Sequence, residues 1–335
     1  MRAFVVTGPG RSEVADVPSP QAAPGQVVID VERAGVCGTD VELFTGDMAY
    51  LRQGHAAYPI RLGHEWCGTV RAVGDDVDPG WLGRRVTGDT MLGCGRCRRC
   101  RGGYHHVCED RAELGIRGGR PGALAEQVAV PETALRELPD QVDDIQGALV
   151  EPGGNALRAV RAAQLRPGDR VLVLGPGTIG VLAALFARAA GAEVHVMGRA
   201  DRSLPFARTL GFDGAWTEDT LPSVPWDAVI DASNAARLPS RAVELVEPGK
   251  RVVYIGIAPA ASLIDSRELV LKDVTAVGIL GASAGLAGAI DAYARGDVNP
   301  APLVAATVDL EDLSPVLAGQ LPVGAGPGPK VHVVL

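Results

Sequence analysis

The feature that most constrains this chain is a run of four cysteines in the segment CGRCRRCRGGYHHVC, spaced C-x2-C-x2-C-x7-C. Thiolate sulfurs are good ligands for Zn²⁺, and four of them complete a tetrahedral shell. Regular, closely spaced cysteine pairs suit a metal ion better than disulfide bonds. A complete thiolate shell leaves no position for a substrate. We therefore expect one structural zinc, held by Cys94, Cys97, Cys100 and Cys108.

The overall charge argues against a nucleic-acid or anionic-membrane surface. The chain has 335 residues, a net charge of −8 and only 4% aromatic residues. Four arginines lie in the cysteine loop, but no basic stripe accompanies them elsewhere. The first residues carry no apolar run typical of a signal peptide, and no apolar stretch is long enough for a membrane helix. We expect a cytoplasmic protein, where reducing conditions keep thiols available.

The pattern of apolar residues changes along the chain and predicts two domains of an α/β protein. Short strands broken by Gly and Pro predict an irregular antiparallel β domain or partial barrel first. Strands and helices then alternate, which is typical of a doubly wound parallel sheet with helices on both faces. The final KVHVVL is expected to rejoin the first domain. The predicted domains are 1–150 with 285–335, and 151–284.

Individual elements follow from the same periodicity. Strands are predicted at 3–6, 26–35, 67–74, 84–89, 170–174, 193–198, 228–233, 251–257 and 274–281. Helices are predicted at 178–190, around 203–211, at 237–246 and in the segment AGLAGAIDAYARG.

In the run VLVLGPGTIG, a glycine-rich turn follows the strand at 170–174 and opens the next helix. Its glycines stand in G-x-G-x-x-G register. The first permits the turn, the second lets backbone approach a pyrophosphate, and the third allows close packing of helix on strand. The helix N-terminus offers free N–H groups to phosphates. We expect a dinucleotide site that includes Gly175, Gly177, Thr178, Ile179 and Gly180.

The end of the next strand bears on which nicotinamide cofactor is bound. NAD sites usually carry an Asp or Glu there for the ribose 2′-OH. This chain has Gly198, followed by Arg199 and Arg202. No carboxylate repels a 2′-phosphate, and two guanidinium groups suit one. NADP is therefore preferred over NAD in this interpretation, with Asp201 as the one nearby carboxylate that could turn back to the ribose.

Residues from separate segments suggest a second metal site. Cys37 lies in VCGTD and His64 in LGHEWCG, and thiolate and imidazole are both zinc ligands. Asp40 is placed to orient the histidine. The third ligand is either Glu151, in LVEPGGN, or Glu65. Each residue alone is ordinary, but together they favour a metal centre over core packing.

These motifs, in this order, resemble the zinc-dependent medium-chain alcohol dehydrogenases over essentially the whole chain. The Glu-Pro at 151–152 is most similar to the polyol, sugar and threonine dehydrogenase branches. The resemblance implies a GroES-like, partly open β-barrel catalytic domain and a Rossmann domain. It implies catalytic zinc on Cys37 and His64, with Glu65 or Glu151, and structural zinc on the four-cysteine loop. It also implies that Thr39 relays the alcohol proton.

The chain departs from relatives that end this relay with a histidine five residues after the cysteine ligand. Glu42 stands there, so the proton passes either to Glu42 or to water. Polar residues between the two ligand motifs are candidates to line a pocket for a polyhydroxylated alcohol. They are Glu42, Asp47, Tyr50, Arg52, Gln53, His55 and Tyr58.

The resulting expectation is an enzyme that transfers a hydride reversibly between a secondary alcohol and NADP(H). A sugar, polyol or cyclitol is favoured as substrate, ahead of a simple alcohol and of an amino alcohol such as threonine. By analogy with relatives, we expect a homodimer or homotetramer. The alternatives are a zinc-free reductase of the same superfamily and a non-catalytic zinc protein, and two zinc ions per chain would favour the enzyme over both.

Overall fold

The computed structural model describes residues 1–200 and 203–335. By its internal contacts the chain forms two compact units. The first unit comprises Met1–Glu151, Tyr293–Arg295 and Pro300–Leu335, and the second comprises Pro152–Ala292 and Gly296–Asn299. In the described part of the chain, no helix has the length and apolar character needed to cross a bilayer.

The first unit is built mainly of β-structure. A seven-stranded sheet has the order β10-β6-β5-β3-β18-β17, with β9 also paired to β3, while β2-β1-β4 and β7-β8 form two smaller sheets. The strands are β1 (Arg2–Gly8), β2 (Arg11–Asp16), β3 (Gln26–Gly35), β4 (Ile60–Arg61), β5 (Glu65–Val73), β6 (Arg85–Gly88), β7 (Met91–Leu92), β8 (Ala112–Glu113), β9 (Gln127–Pro131), β10 (Leu135–Glu137), β17 (Val304–Val308) and β18 (Lys330–Val334).

Short helices connect these strands. They are α1 (Gly38–Thr45), α2 (Ala49–Arg52), α3 (Arg98–Arg101), α4 (Asp144–Ala148) and α11 (Leu313–Leu317), and α5 (Val150–Ala163) continues into the second unit. Single 3₁₀ turns lie at Pro79–Trp81, His105–Val107, Glu132–Ala134, Ala301–Leu303 and Leu310–Asp312.

Alternation along the strands determines which face enters the core. Trp66 of β5 and Val331 and Val333 of β18 lie in one apolar cluster with alternate residues of β3. Because successive side chains point to opposite faces, Glu65 and Lys330 lie on the other face of the same sheet. Both are nevertheless buried. This second, polar face carries the candidate site.

The second unit is a parallel sheet of six strands in the order β13-β12-β11-β14-β15-β16. This is the strand order of the Rossmann fold. The first three strands are added towards one edge of the sheet and the next three towards the other, so the order reverses beside the first strand. The strands are β11 (Arg170–Leu174), β12 (Glu193–Met197), β13 (Gly214–Trp216), β14 (Trp226–Asp231), β15 (Val246–Tyr254) and β16 (Thr275–Gly278). The helices are α6 (Thr178–Ala189), α7 (Leu204–Thr209), α8 (Leu238–Leu245), α9 (Ser266–Leu271) and α10 (Leu286–Ala294).

Sequence periodicity located the longer strands and helices, and β11 has the predicted bounds. Many short elements were not predicted, and β13 and α1 show two physical reasons. The strand β13 has three residues, too few to show alternation. The helix α1 begins in CGTD, whose small and polar residues resemble a loop more than an amphipathic helix. The final segment does pair with β3, as expected, through His332 and its neighbours.

Close contact between β3 and β5 depends on Gly68. A Cβ atom there would lie 2.1 Å from the carbonyl oxygen of Asp30. We predict that Gly68→Ala destabilises the protein by about 1–3 kcal/mol, because the strands must separate to admit a methyl group. Urea unfolding measures the change. Gly278→Ala is the matched control, since a Cβ there contacts nothing within 4 Å. An equal effect of the two substitutions would contradict the prediction.

Candidate metal centres and nucleotide site

Cys37, His64 and Glu65 come together on the polar face of the first unit. One potential ligand atom from each lies within 4.8 Å of the other two. Cys37 precedes α1, and His64 immediately precedes β5. The cysteine is half-buried, whereas the imidazole and carboxylate are buried. Three ligands at this spacing leave one tetrahedral position open, which is the arrangement of a catalytic rather than a structural zinc.

Asp40 holds the two ligand segments together. Its fully buried carboxylate accepts hydrogen bonds from the backbone N–H of Cys37 (2.9 Å) and of Gly63 (3.2 Å). Its Oδ1 also lies 3.5 Å from Nδ1 of His64, too long for a good hydrogen bond. Because Nδ1 faces Asp40, Nε2 is the ring nitrogen left for a metal. The sequence-based role of Asp40 as an orienting residue is compatible with these contacts.

Charge also distinguishes this cluster from ordinary core. Burial alone would lower the pKa of His64, but the Asp40 carboxylate and the Cys37 sulfur outweigh it and raise that pKa well above its usual range. An imidazole must lose its proton to bind a metal. A cation such as zinc would take the place of that proton beside Asp40 and the Cys37 sulfur.

Glu65 has a second partner that sequence reasoning missed. Lys330 Nζ lies 2.9 and 2.7 Å from the two carboxylate oxygens and also donates to the carbonyl of Val36. Both charged side chains are only 2% exposed. The carboxylate passes over Gly35, where a Cβ would lie 2.3 Å from Oε2. The sequence signal for this contact is Lys330, a charged residue at the start of the apolar run KVHVVL.

Glu151, the other proposed third ligand, stands outside the described cluster although it is buried. Thr39 lies in the first turn of α1 and is half-buried, close in sequence to the cysteine. Glu42 is exposed on the same helix. Among the seven polar residues considered for a pocket, Tyr58 donates its hydroxyl to the carbonyl of Leu43 and Tyr50 to Glu113.

The four cysteines of the loop also converge. All four sulfurs lie within 4.8 Å of one another, and none forms a disulfide. The Cys97–Cys108 and Cys94–Cys100 sulfur separations are 3.8 and 4.0 Å. A tetrahedral shell with Zn–S bonds of about 2.3 Å requires sulfurs about 3.8 Å apart. The cluster therefore has the dimensions of a thiolate zinc site.

Thiolate character is already favoured at one of these sulfurs. Backbone N–H groups of Arg96 and Cys97 lower the pKa of Cys94 to about 6. Burial and the neighbouring sulfurs raise the pKa of Cys100 to about 12. Four crowded thiols cannot all ionise without a cation, so metal binding would release protons. Cys67 is a buried thiol that donates to the carbonyl of Asp144.

The glycine turn of the second unit has the geometry expected for a phosphate cradle. Gly175 has φ +83°, and a Cβ there would meet Ser233 at 2.9 Å. At Gly180 a Cβ would lie 2.1 Å from the carbonyl oxygen of Gly175, whereas at Gly177 it would contact nothing within 4 Å. The turn therefore has open space at the glycine where a pyrophosphate would approach, and Thr178 and Ile179 begin α6 there.

The position at the end of β12 excludes any side chain. A Cβ at Gly198 would lie 2.6 Å from Oγ of Ser203 and 2.7 Å from Cδ of Pro176. A carboxylate cannot occupy this position without moving the glycine turn. Arg199 follows directly, while Asp201 and Arg202 lie outside the described residues.

Comparison with known proteins gives concordant results. The family model described as alcohol dehydrogenase GroES-like domain matches residues 23–140, and the one described as zinc-binding dehydrogenase matches 178–295. An L-threonine 3-dehydrogenase of Rhizobium etli is 33% identical over 277 residues, covering 79% of each chain.

Solved structures agree across the full length. A zinc-binding dehydrogenase of Sinorhizobium meliloti bound to NADP superposes with a TM-score of 0.89 at 28% identity, covering 100% of this chain and 99% of that one. An Escherichia coli alcohol dehydrogenase complexed with NADH gives 0.91 at 25% identity, with coverage of 100% and 99%. The fold expected from sequence, a GroES-like β domain with a Rossmann sheet, is confirmed.

The different surroundings of the glycines predict different outcomes of substitution. Gly177→Ala should leave stability unchanged but weaken binding of a nicotinamide dinucleotide about tenfold, because the methyl group enters the open cradle. Gly180→Ala should instead destabilise the protein by about 1–3 kcal/mol, since helix and strand must move apart. Calorimetric titration with NADP and thermal unfolding separate the two effects. Unweakened binding by folded Gly177→Ala would refute the cradle assignment.

Proposed function

Since the chain belongs to the zinc-dependent medium-chain dehydrogenase family, we propose that it oxidises a secondary alcohol reversibly at the Cys37–His64–Glu65 cluster. The observation that carries this proposal is the convergence of these three groups with room for a fourth ligand. The proposed substrate is a polar secondary alcohol. A sugar, polyol or cyclitol is one class, and the threonine dehydrogenase relatives favour an amino alcohol as the other.

In the proposed mechanism, Cys37, His64 and Glu65 would hold a zinc ion that supplies Lewis-acid chemistry at the alcohol oxygen, and NADP at the glycine turn would supply the hydride acceptor. Asp40 fixes the imidazole and the cysteine backbone in position. Lys330 holds the carboxylate of Glu65 from the side of Val36. The Thr39 hydroxyl receives the alcohol proton and passes it outward, with exposed Glu42 or solvent as acceptor.

The second zinc is proposed on Cys94, Cys97, Cys100 and Cys108, where it would be structural. A non-catalytic zinc protein, the alternative, would have this structural site but no zinc site with an open coordination position. We further propose cytoplasmic location, where all six free thiols persist, and assembly into a homodimer or homotetramer. Light scattering of the zinc-loaded protein measures the assembly state.

Zinc analysis of variants tests the two centres. We expect two zinc ions per chain in the wild type and one in Cys37→Ala or His64→Ala, with turnover of secondary alcohols abolished and the fold retained. Cys100→Ser should also lose one zinc but lower thermal stability before it affects the chemical step. Near-normal kcat in His64→Ala would exclude the mechanism.

Paired carboxamide variants decide the third ligand. Glu65→Gln should reduce the zinc affinity of the open site, because its carboxylate lies in the cluster. Glu151→Gln is the matched comparison, a buried carboxylate outside it. Zinc content after dialysis against a chelator measures both. Greater zinc loss from Glu151→Gln would reverse the assignment.

Preference for NADP over NAD is proposed from the lack of a carboxylate at Gly198 and from the arginines Arg199 and Arg202. Arg199→Gln should lower kcat/KM for NADP by about tenfold and leave NAD nearly unchanged, because a charge-assisted bond to the 2′-phosphate is lost. Steady-state kinetics with both cofactors measures this. Equal kcat/KM for NAD and NADP in the wild type would overturn the preference.

A further inference from the structure

A half-buried arginine lies on a turn that packs against the segment carrying His64, and it has no ionic partner among the described residues. The guanidinium carbon of Arg117 sits 5.3 Å from the centre of the Tyr50 ring. Among the described residues, its side chain forms no hydrogen bond or ion pair. A cation over an aromatic face is attracted to the ring, but its charge is not neutralised. The N–H edge of the guanidinium therefore remains available to an anion.

The surroundings of Tyr50 are fixed by a separate ion pair. Arg111 Nε lies 2.7 Å from Oε1 of Glu113, and these side chains are 15% and 5% exposed. The Tyr50 hydroxyl donates to the same carboxylate oxygen and accepts from Arg111, each at 3.2 Å. The negative charge of Glu113 is thus balanced by Arg111. The positive charge of Arg117 is in excess, and its aromatic support is held rigidly.

The turn that carries Arg117 packs on the segment that carries His64. A Cβ at Gly115 would lie 2.7 Å from the oxygen and 2.9 Å from the nitrogen of Gly63. The backbone N–H of Leu114 donates to the carbonyl of Thr90, whose hydroxyl donates to the carbonyl of His64. On the other side, the N–H of Gly118 donates to the carbonyl of His55. These contacts fix the turn that carries Arg117 between the segment of His64 and the segment of His55.

We propose that Arg117 binds an anionic group, a carboxylate or a phosphate, carried by the alcohol substrate. A guanidinium offers two parallel N–H donors, which match either oxyanion, and its stacking on Tyr50 orients that edge in advance. This inference rests on the proposed function and narrows its substrate to hydroxy acids, including amino acids, or to alcohol phosphates. Neutral alcohols would react at the same centre without this contact.

Matched substrates test the proposal on the zinc-loaded enzyme. One pair is L-threonine with its methyl ester, and the other is sorbitol 6-phosphate with sorbitol. In Arg117→Gln, kcat/KM for the preferred anionic substrate should fall by about 10- to 100-fold, as expected for loss of a charged hydrogen-bonded pair. The member that lacks the carboxylate or phosphate should change by less than about threefold. Arg117→Lys should restore part of the loss, and the pair that responds identifies carboxylate or phosphate.

Arg120→Gln is the control, because Arg120 is exposed on the same loop and should leave both members of each pair unchanged. Equal loss for both members of a pair, or no loss in Arg117→Gln, would overturn the inference while leaving alcohol oxidation intact. Calorimetric titration with inorganic phosphate and with acetate gives a readout that needs no turnover. Binding that Arg117→Gln weakens supports the site, and binding that it leaves unchanged refutes it. Failure of the wild type to oxidise any of the four alcohols counts against the proposed function instead.

Discussion

The buried ion pair between Glu65 and Lys330 is the contact on which the arrangement of the first unit depends. It links β5 to β18 across the glycine at the end of β3, on the face opposite the apolar core. Removing one partner of such a pair generally costs about 3–5 kcal/mol, because the other charge is left buried. The pair therefore requires β18 to stay in register, and β18 in turn keeps a carboxylate beside Cys37 and His64. The Glu65–Lys330 pair thus fixes where the Glu65 carboxylate lies and also balances its charge.

Much of this organisation could be predicted from the sequence because it is encoded locally. Four cysteines within 15 residues define a metal loop, and a strand followed by three spaced glycines defines a dinucleotide turn. In both cases one short segment supplies all the groups that act together. The apolar periodicity of the second half likewise predicts a parallel sheet, since each strand is buried on both faces.

The remaining features depend on tertiary contacts that no local pattern expresses. Lys330 meets Glu65 across 265 positions, and only the strand pairing places them together. Tyr50 appeared to be one of several polar loop residues, but its hydroxyl is bound by Glu113 and Arg111, so its ring supports Arg117 instead. The choice between Glu65 and Glu151 as third ligand is likewise open in the sequence, because no local pattern tells which carboxylate approaches Cys37 and His64; the path of β5 favours Glu65.

The pairing of β18 with β3 has a consequence for synthesis of the protein on the ribosome. Nearly the whole second unit, 152–292, is translated before β18. Its parallel sheet can be completed while the first unit still lacks the strand next to β3. During this interval Cys37 and His64 have already emerged, but Glu65 has no lysine beside it. A metal ion bound by Cys37 and His64 at this stage would therefore lie in a sheet where Glu65 is not yet paired with Lys330.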